Sequence, residues 1–456
     1  MRSRPSSFMA QMEDKVDVIV IGAGVAGLAA ACALSAKGIS LRIFEARDRI
    51  GGRIFTLQDP DLDAPIELGA EFIHGRPPEI WNLLREGQIP VTEVDGDSWC
   101  FQDGHLSPCD FFSEVDDILD NMDARKPDQS FQNYLQRCCQ GASERTKQHA
   151  LNYITGFNAA DPERVSVHWL VRGMEAEEKI DGKHSFRANT GYAGLLEILL
   201  ARLRHGQVKV ETSAVIYNIS WNPENVQVKA SLAGKPMTLH AQRVLITVPI
   251  GVLQAKKAET GAISFQPALP KAKINAIHGI AMGKVIRVVL RFRSRFWREI
   301  SPQRSPHETL DSMGFLFSQD AWFPTWWTTM PERRPILTGW APFRSAERLS
   351  GQSREFIVSQ ALHTLGALLN VPGTKLQQLL QAAHLHDWQT DPFSRGVYSY
   401  ATAEAADAPD VLAAPVENTL FFAGEATDGA HTGTVHGALA SGYRAAAQIG
   451  AVDKSR

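Results

Sequence analysis

The sequence predicts an α/β fold, a parallel sheet wound with helices and interrupted by a second unit of mixed α+β structure. Three observations predict it. Residues 16–53 run as strand, glycine turn, alanine-rich helix, strand and second glycine pair. Strand alternation returns at residues 208–249 after a long stretch of helical spacing, and small-residue segments of the first kind come back at 388–438.

The opening stretch reads VDVIVIGAGVAGLAAACALSAKGISLRIFEARDRIGGR. Residues 16–21 are a β-branched run of the kind a strand buried on both faces requires. Gly22, Gly24 and Gly27 stand in G-x-G-x-x-G spacing. Gly22 permits the tight turn, Gly24 lets the backbone approach a pyrophosphate, and Gly27 lets the helix lie on the strand. The helix start offers free N–H groups and a partial positive charge. Glu45, eighteen residues after Gly27, closes the strand LRIFE, where a carboxylate accepts hydrogen bonds from a ribose. Strand, helix, second strand and acid fall in register, so the unit reads as a Rossmann-like dinucleotide site. An acid at the ribose fits NAD or FAD and disfavours a 2′-phosphate.

Beyond Arg53, IFTLQDPDLDAPIELGAEFIHG reads as a strand, a polar turn and a return to the small pair Gly69 and Ala70, followed by Glu71 and His74. Residues 78–204 change to helical spacing, seen in SFQNYLQRCC and ILLARL, and read as an inserted substrate unit. VKVETSAVIYNI, VQVKASL and MTLHAQRVLITVP resume the first sheet. IAMGKVIRVVLRF follows as one strand with Gly283 and Lys284 at its mouth. GFLFSQ, PTWWTTM and ILTGWAPF are aromatic strands of a second sheet, and EFIVSQALHTLGALL is a helix. Six of the ten tryptophans lie between Trp297 and Trp388. Most should be core, with some walling a ligand cleft.

At 456 residues two domains are expected. A net charge of −3 gives no reason to expect nucleic acid or an anionic membrane as partner. Residues 1–15 lack the apolar run of a signal peptide and read as a loose tail, and no run of about 20 apolar residues offers a membrane span. The five cysteines, Cys32, Cys100, Cys109, Cys138 and Cys139, show neither a disulfide framework nor a zinc pattern. All five are read as packing residues, which suits a reducing, cytoplasmic compartment, and no metal site is expected.

Four motifs carry a family resemblance. E-x-x-x-R-x-G-G-R ends the opening stretch, W-x-x-D-P-x-x-x-G-x-Y-S-Y begins at Trp388, F-F-A-G-E ends at Glu425, and T-V-H-G-A begins at Thr434. Together they resemble the flavin amine oxidase family, in particular polyamine oxidases and flavin-type histone-lysine demethylases. The match covers most of the chain and is weakest around residues 100–165. The resemblance implies a Rossmann-like FAD-binding domain over 14–80, 205–288 and 385–450, with a substrate domain over 81–204 and 289–384.

It also implies the cofactor's contacts. Arg47, Gly52 and Arg53 reach towards the FAD phosphates and flavin; Gly69, Ala70 and Glu71 lie before the ring, with Trp388 beside its edge. The Val215 backbone holds adenine, and Gly424 and Glu425 meet the ribityl chain and pyrophosphate. Val435 offers its N–H to a ring oxygen, next to Thr434. Val397 stands where monoamine oxidases carry the cysteine that tethers flavin, so the FAD is expected to be noncovalent.

For catalysis, Tyr398 matches one aromatic wall before the flavin. Thr434 matches the opposite wall, a tyrosine in monoamine oxidases. Lys284 is matched to the family lysine that holds a water at the flavin and assists reoxidation by oxygen, and burial there would lower its pKa. His74, in F-I-H-G, resembles the W-I-H-G histidine that faces the substrate amine. Glu175, Glu177 and Glu178 fall where polyamine oxidases place carboxylates for distal amines, but are read as a solvated helix end. The implied activity is oxidation of a polyamine or other alkyl amine to an imine, then an aldehyde, with O2 reduced to H2O2. The implied partners are a small amine and O2, in a monomer or homodimer. Alternatives are an L-amino-acid oxidase, whose usual arginine is replaced here by Glu71, a demethylase-like enzyme, and a noncatalytic FAD-binding scaffold.

Overall fold

The structure, a computed structural model, describes residues 15–59, 61–62, 64–111, 113–206, 208–302 and 307–454. The expected N-terminal tail falls almost wholly outside them. Strand β1 (Lys15–Ile21) lies between β2 (Leu41–Phe44) and the long strand Lys235–Ile246, parallel to both. Val210–Glu211 adds in parallel outside β2, and Leu420–Phe422 runs parallel to the end of the long strand. The eight-stranded sheet continues as an antiparallel meander through Asn225–Leu232 and Ala214–Asn222, and Ser264–Gln266 adds in parallel at its edge.

The helix between β1 and β2 is α1 (Val25–Ser35), as the opening pattern predicts. Period-two alternation divides β1 between two cores. Val18 and Val20 pack with α1 and the final helix Val435–Lys454, whereas Ile19 and Ile21 pack with the meander on the opposite face. Each such burial contributes about 1.5–3 kcal/mol before entropy is counted. The two helices touch closely because a Cβ on Gly442 would stand 2.3 Å from the carbonyl oxygen of Ala26. That contact covers the sheet beside the glycine turn.

A seven-stranded sheet forms the other half. Its order is Leu380–Leu385, Val285–Phe292, Ile336–Pro342, Thr325–Thr328, Met313–Phe317, Asp97–Gln102 and His105–Pro108. Its core holds Phe292, Trp297, Phe323 and Trp326, all fully buried. The aromatic strands are where the pattern predicts them. IAMGKVIRVVLRF is not one strand but two, Ile280–Met282 and Val285–Phe292, broken at Gly283 and Lys284.

Residues 78–204 are not purely helical. They hold the helices Pro78–Glu86, Phe131–Cys138, Glu144–Gly156, Val167–Glu178 and Ala193–His205, and also the strands Val91–Glu93, Asp97–Gln102, His105–Pro108 and Ser185–Ala188. Asp97–Gln102 and His105–Pro108 form a hairpin through Asp103 and Gly104, both at positive φ, and its first strand pairs in parallel with Met313–Phe317. The Asp-Gly turn was the available signal. This hairpin corrects the cysteine reading. Cys100 and Cys109, with Cα atoms 5.7 Å apart, are joined in a disulfide, while Cys32, Cys138 and Cys139 are free. Spacing missed the pair because the fold, not the sequence interval, brings its partners together. The inference from cysteine usage to a reducing compartment therefore lapses. Among the described residues no helix is long and apolar enough to cross a membrane.

Candidate active site

One cavity of about 1390 Å³ runs between the two sheets. Of the residues expected at the site, all but Gly27 and Lys284 line it. The glycine turn explains its floor. Gly22 has φ +104°, and a Cβ there would lie 2.6 Å from Thr247 Oγ1. A Cβ on Gly27 would come within 2.0 Å of the Gly22 carbonyl oxygen, so Gly27 serves helix–strand contact and does not line the cavity. A Cβ on Gly24 would meet nothing within 4 Å, leaving open space at the start of α1, whose first turn carries no acid. A helix start of this kind receives an anion.

Glu45 is buried at the end of β2. It accepts the Ala23 N–H at 2.9 Å and the Arg47 N–H at 3.0 Å, which fixes the carboxylate at the turn. Arg47 is held by Asp391 at 2.8 Å, and Gly51 N–H reaches the Ala23 carbonyl at 2.8 Å, folding the second glycine pair on the first. Arg53 donates to the Val397 carbonyl at 2.7 Å and to Glu425 at 2.8 Å. Glu425 also accepts the Ser399 hydroxyl at 2.7 Å and the Gly433 N–H at 2.9 Å. Trp388 donates its indole N–H to the Leu68 carbonyl at 2.8 Å, beside Gly69 and Ala70. Val215, Gly424 and Val435 complete the lining, and the Thr434 hydroxyl accepts the Gly437 N–H at 3.0 Å at the start of the final helix. A glycine cradle, an open helix start and a fixed carboxylate on the strand end fit a dinucleotide.

Farther along the cavity, the Tyr398 hydroxyl donates to the Phe157 carbonyl at 2.7 Å, which fixes its ring, and burial raises its pKa. His74, on the short strand Ile73–His74, has Nδ1 3.2 Å from Ser185 Oγ and its ring edge-on to Phe157. Burial pushes its pKa down to about 4, so it is neutral at pH 7.

Lys284 is not in the cavity, which corrects that expectation. Its side chain is 47% exposed and its Nζ is 2.9 Å from Glu347. The reason is strand parity: Val285 and Arg287 line the cavity, and Lys284 has the opposite phase. The cation of this strand that reaches the cavity is Arg287, which sequence reasoning missed. It donates to the Gly69 carbonyl at 2.9 Å and pairs with Glu71. Two arginines, Arg287 and Arg291, inside the fully buried strand VIRVVLRF were the signal.

Glu71 also takes Arg187 at 2.6 Å and the Trp327 indole N–H. Burial would raise its pKa, but the guanidiniums of Arg287 and Arg187 outweigh burial and hold it below the usual carboxylate range. The acid thus sits between two cations, and the charge argument against a carboxylate substrate loses its force. Glu177 corrects a second reading. Glu175 is exposed, but Glu177 lines the cavity, and burial pushes its pKa up to about 7. His436 was also missed. It is 4% exposed, its Nε2 lacks a hydrogen-bond partner, and burial drives its pKa down to about 3.

Solved structures share this architecture. Putrescine oxidase bound to putrescine superposes with a TM-score of 0.77 at 22% identity, over 96% of this chain and 99% of that one. Cyclohexylamine oxidase from Brevibacterium oxydans gives 0.78 at 22%, over 97% and 100%. Among curated proteins, polyamine oxidase 4 of Oryza sativa subsp. japonica is 26% identical over 94% of this chain and 87% of its own length. Lysine-specific histone demethylase 1 homolog 1 of the same plant is 29% identical over 95% of this chain, which spans 52% of that relative. The family model for flavin containing amine oxidoreductases matches residues 25–137 and 120–450, nearly the whole described chain. The chain belongs to that family and is an enzyme of it.

Proposed function

We propose that this protein is an FAD-dependent oxidase of a polyamine or other alkyl amine, taking it to the imine and then the aldehyde, with O2 as acceptor and H2O2 as product. The observation that carries the reading is the convergence of the glycine cradle, Glu45, Arg53, Trp388, Tyr398, His74 and Val435 on one cavity. FAD, when bound, would supply the capacity to accept a hydride equivalent from the amine α-carbon.

The chain's own residues supply the rest. Gly24 and the start of α1 would hold the pyrophosphate, Glu45 the ribose, and the Val435 N–H a ring oxygen. No cysteine lines the cavity among the described residues, which supports noncovalent attachment. Tyr398, fixed by Phe157, orients the amine against the ring. His74, neutral at pH 7, accepts a hydrogen bond from the ammonium, and Glu177 on the cavity wall favours entry of a cation above about pH 7, where it is ionised. Aromatic walls exclude water and favour the uncharged amine that reacts. In this reading 14–80, 205–288 and 385–450 form the FAD domain, 81–204 and 289–384 the substrate domain, and the enzyme works as a monomer or homodimer.

A second reading as an L-amino-acid oxidase is favoured by Arg287, a cavity-lining guanidinium able to meet a carboxylate. The test is an anaerobic panel of spermine, spermidine, N-acetylpolyamines, putrescine, aromatic monoamines and L-amino acids, read by flavin bleaching and then by peroxide on admitting air. Bleaching by amines is expected. Faster bleaching by L-amino acids would favour the second reading, and silence from a yellow, folded preparation would refute both.

A further inference from the structure

Resting on the amine reading above, we propose that this cavity selects amines carrying a bulky apolar or aromatic body, and that Phe317 and Phe111 grip that body. A continuous wall of rings carries the argument. Trp340 meets Trp327 with centroids 5.6 Å apart, and Trp327 meets Phe72 at 5.6 Å. Phe72 meets Phe315 at 6.3 Å, and Phe315 lies parallel to Phe317 at 6.0 Å. Phe317 stacks on Phe111 at 4.3 Å with planes 12° apart. All six line the cavity. The row therefore starts beside Glu71 and the small pair Gly69 and Ala70, and ends at Phe111, just beyond the disulfide-tied hairpin.

The strand Met313–Phe317 explains how the wall arises. Leu316 is fully buried in the core of the sheet, so Phe315 and Phe317, of opposite phase, face the cavity. Phe111 and Phe317 are only 8% and 9% exposed, so the wall is a packed apolar lining that a ligand of matching character meets without rearrangement. The cavity lining also holds the carboxylates Asp110, Asp116, Asp120 and Glu177, against the single cation Lys183 among the described residues of the same stretch of helices and turns. Those carboxylates draw a cation in, and a short diamine would leave most of the ring wall bare. The cavity also exceeds the roughly 300–1,000 Å³ of an ordinary ligand site, in keeping with a large substrate beside a large cofactor.

The test compares n-butylamine, 1,4-diaminobutane, n-octylamine and 4-phenylbutylamine with the flavin-loaded enzyme. The expected result is a KM for 4-phenylbutylamine about tenfold below that for n-butylamine, with the larger thermal-shift protection at equal concentration. Phe317→Leu and Phe111→Leu should each lower the kcat/KM preference for 4-phenylbutylamine over n-butylamine by about tenfold, mainly through KM. Two conservative variants guard against loss of folding at either site. If 1,4-diaminobutane or n-butylamine reacts as well as the bulky amines, or neither variant moves the ratio, the proposal falls and the amine reading stands. Bleaching by no amine would overturn both.

Discussion

Glu67 and Glu71 are both buried, four residues apart in sequence, and differ because of what faces them. Glu67 meets only neutral donors, the Thr56 hydroxyl at 2.8 Å and the Tyr192 N–H at 2.6 Å, so burial lifts its pKa from 4.5 to about 7. Its contribution to stability is full below pH 4.5 and is lost as the pH rises through about 7. Resistance to urea should therefore fall between pH 4.5 and about 7, with this group contributing on the order of 1–3 kcal/mol, and Glu67→Gln should flatten that slope. Glu71 faces two guanidiniums instead. Arg287→Met should cost about 3–5 kcal/mol by leaving that carboxylate half-compensated, seen as a drop in Tm and urea midpoint. Lys284→Met, on the exposed side, should change stability by less than about 1 kcal/mol and leave flavin reoxidation in stopped flow close to wild type. The contrast marks what the sequence could yield at this scale. A motif spacing finds the right strand, but only the strand's phase decides that Arg287, and not Lys284, meets the cavity.

At the scale of elements, the turn between β1 and α1 was fully legible, since each glycine has one steric reason to be there. Gly27→Val would put a branched side chain where a Cβ already lies 2.0 Å from the Gly22 carbonyl oxygen, forcing α1 off the strand. The expected outcome is a lower flavin-to-protein absorbance ratio after dialysis, together with a lower Tm. Lys273 was not legible. Its buried amine donates to the carbonyls of Val411 at 2.7 Å and Leu412 at 2.9 Å and also to that of Ala414, satisfying the end of the helix Ala408–Ala413. Lys273→Met should cost about 3 kcal/mol in chemical denaturation. No local pattern announces such a cap, because its partners lie 138 to 141 residues away. The Cys100 and Cys109 hairpin escaped notice for the opposite reason: its strands are too short for alternation to stand out against neighbouring helices.

For the whole molecule, the α/β class and the glycine turn were readable because their residues fall in motifs that dictate backbone shape. Much of the cavity lining was not, since Phe111, Glu177 and Phe317 belong to ordinary-looking segments that acquire meaning only when two sheets meet. The clip from Arg53 to Glu425 joins residues 372 apart, and Arg47 reaches Asp391 across 344. β1 likewise finds its partner strand more than 200 residues downstream. Closing such loops is slow, because their entropy must be lost before the contacts form. A growing chain must therefore be almost fully synthesised before its first glycine turn has a complete sheet around it. In refolding from urea, flavin capture should trail the recovery of helical ellipticity, with the cofactor locking the assembly after most secondary structure has formed.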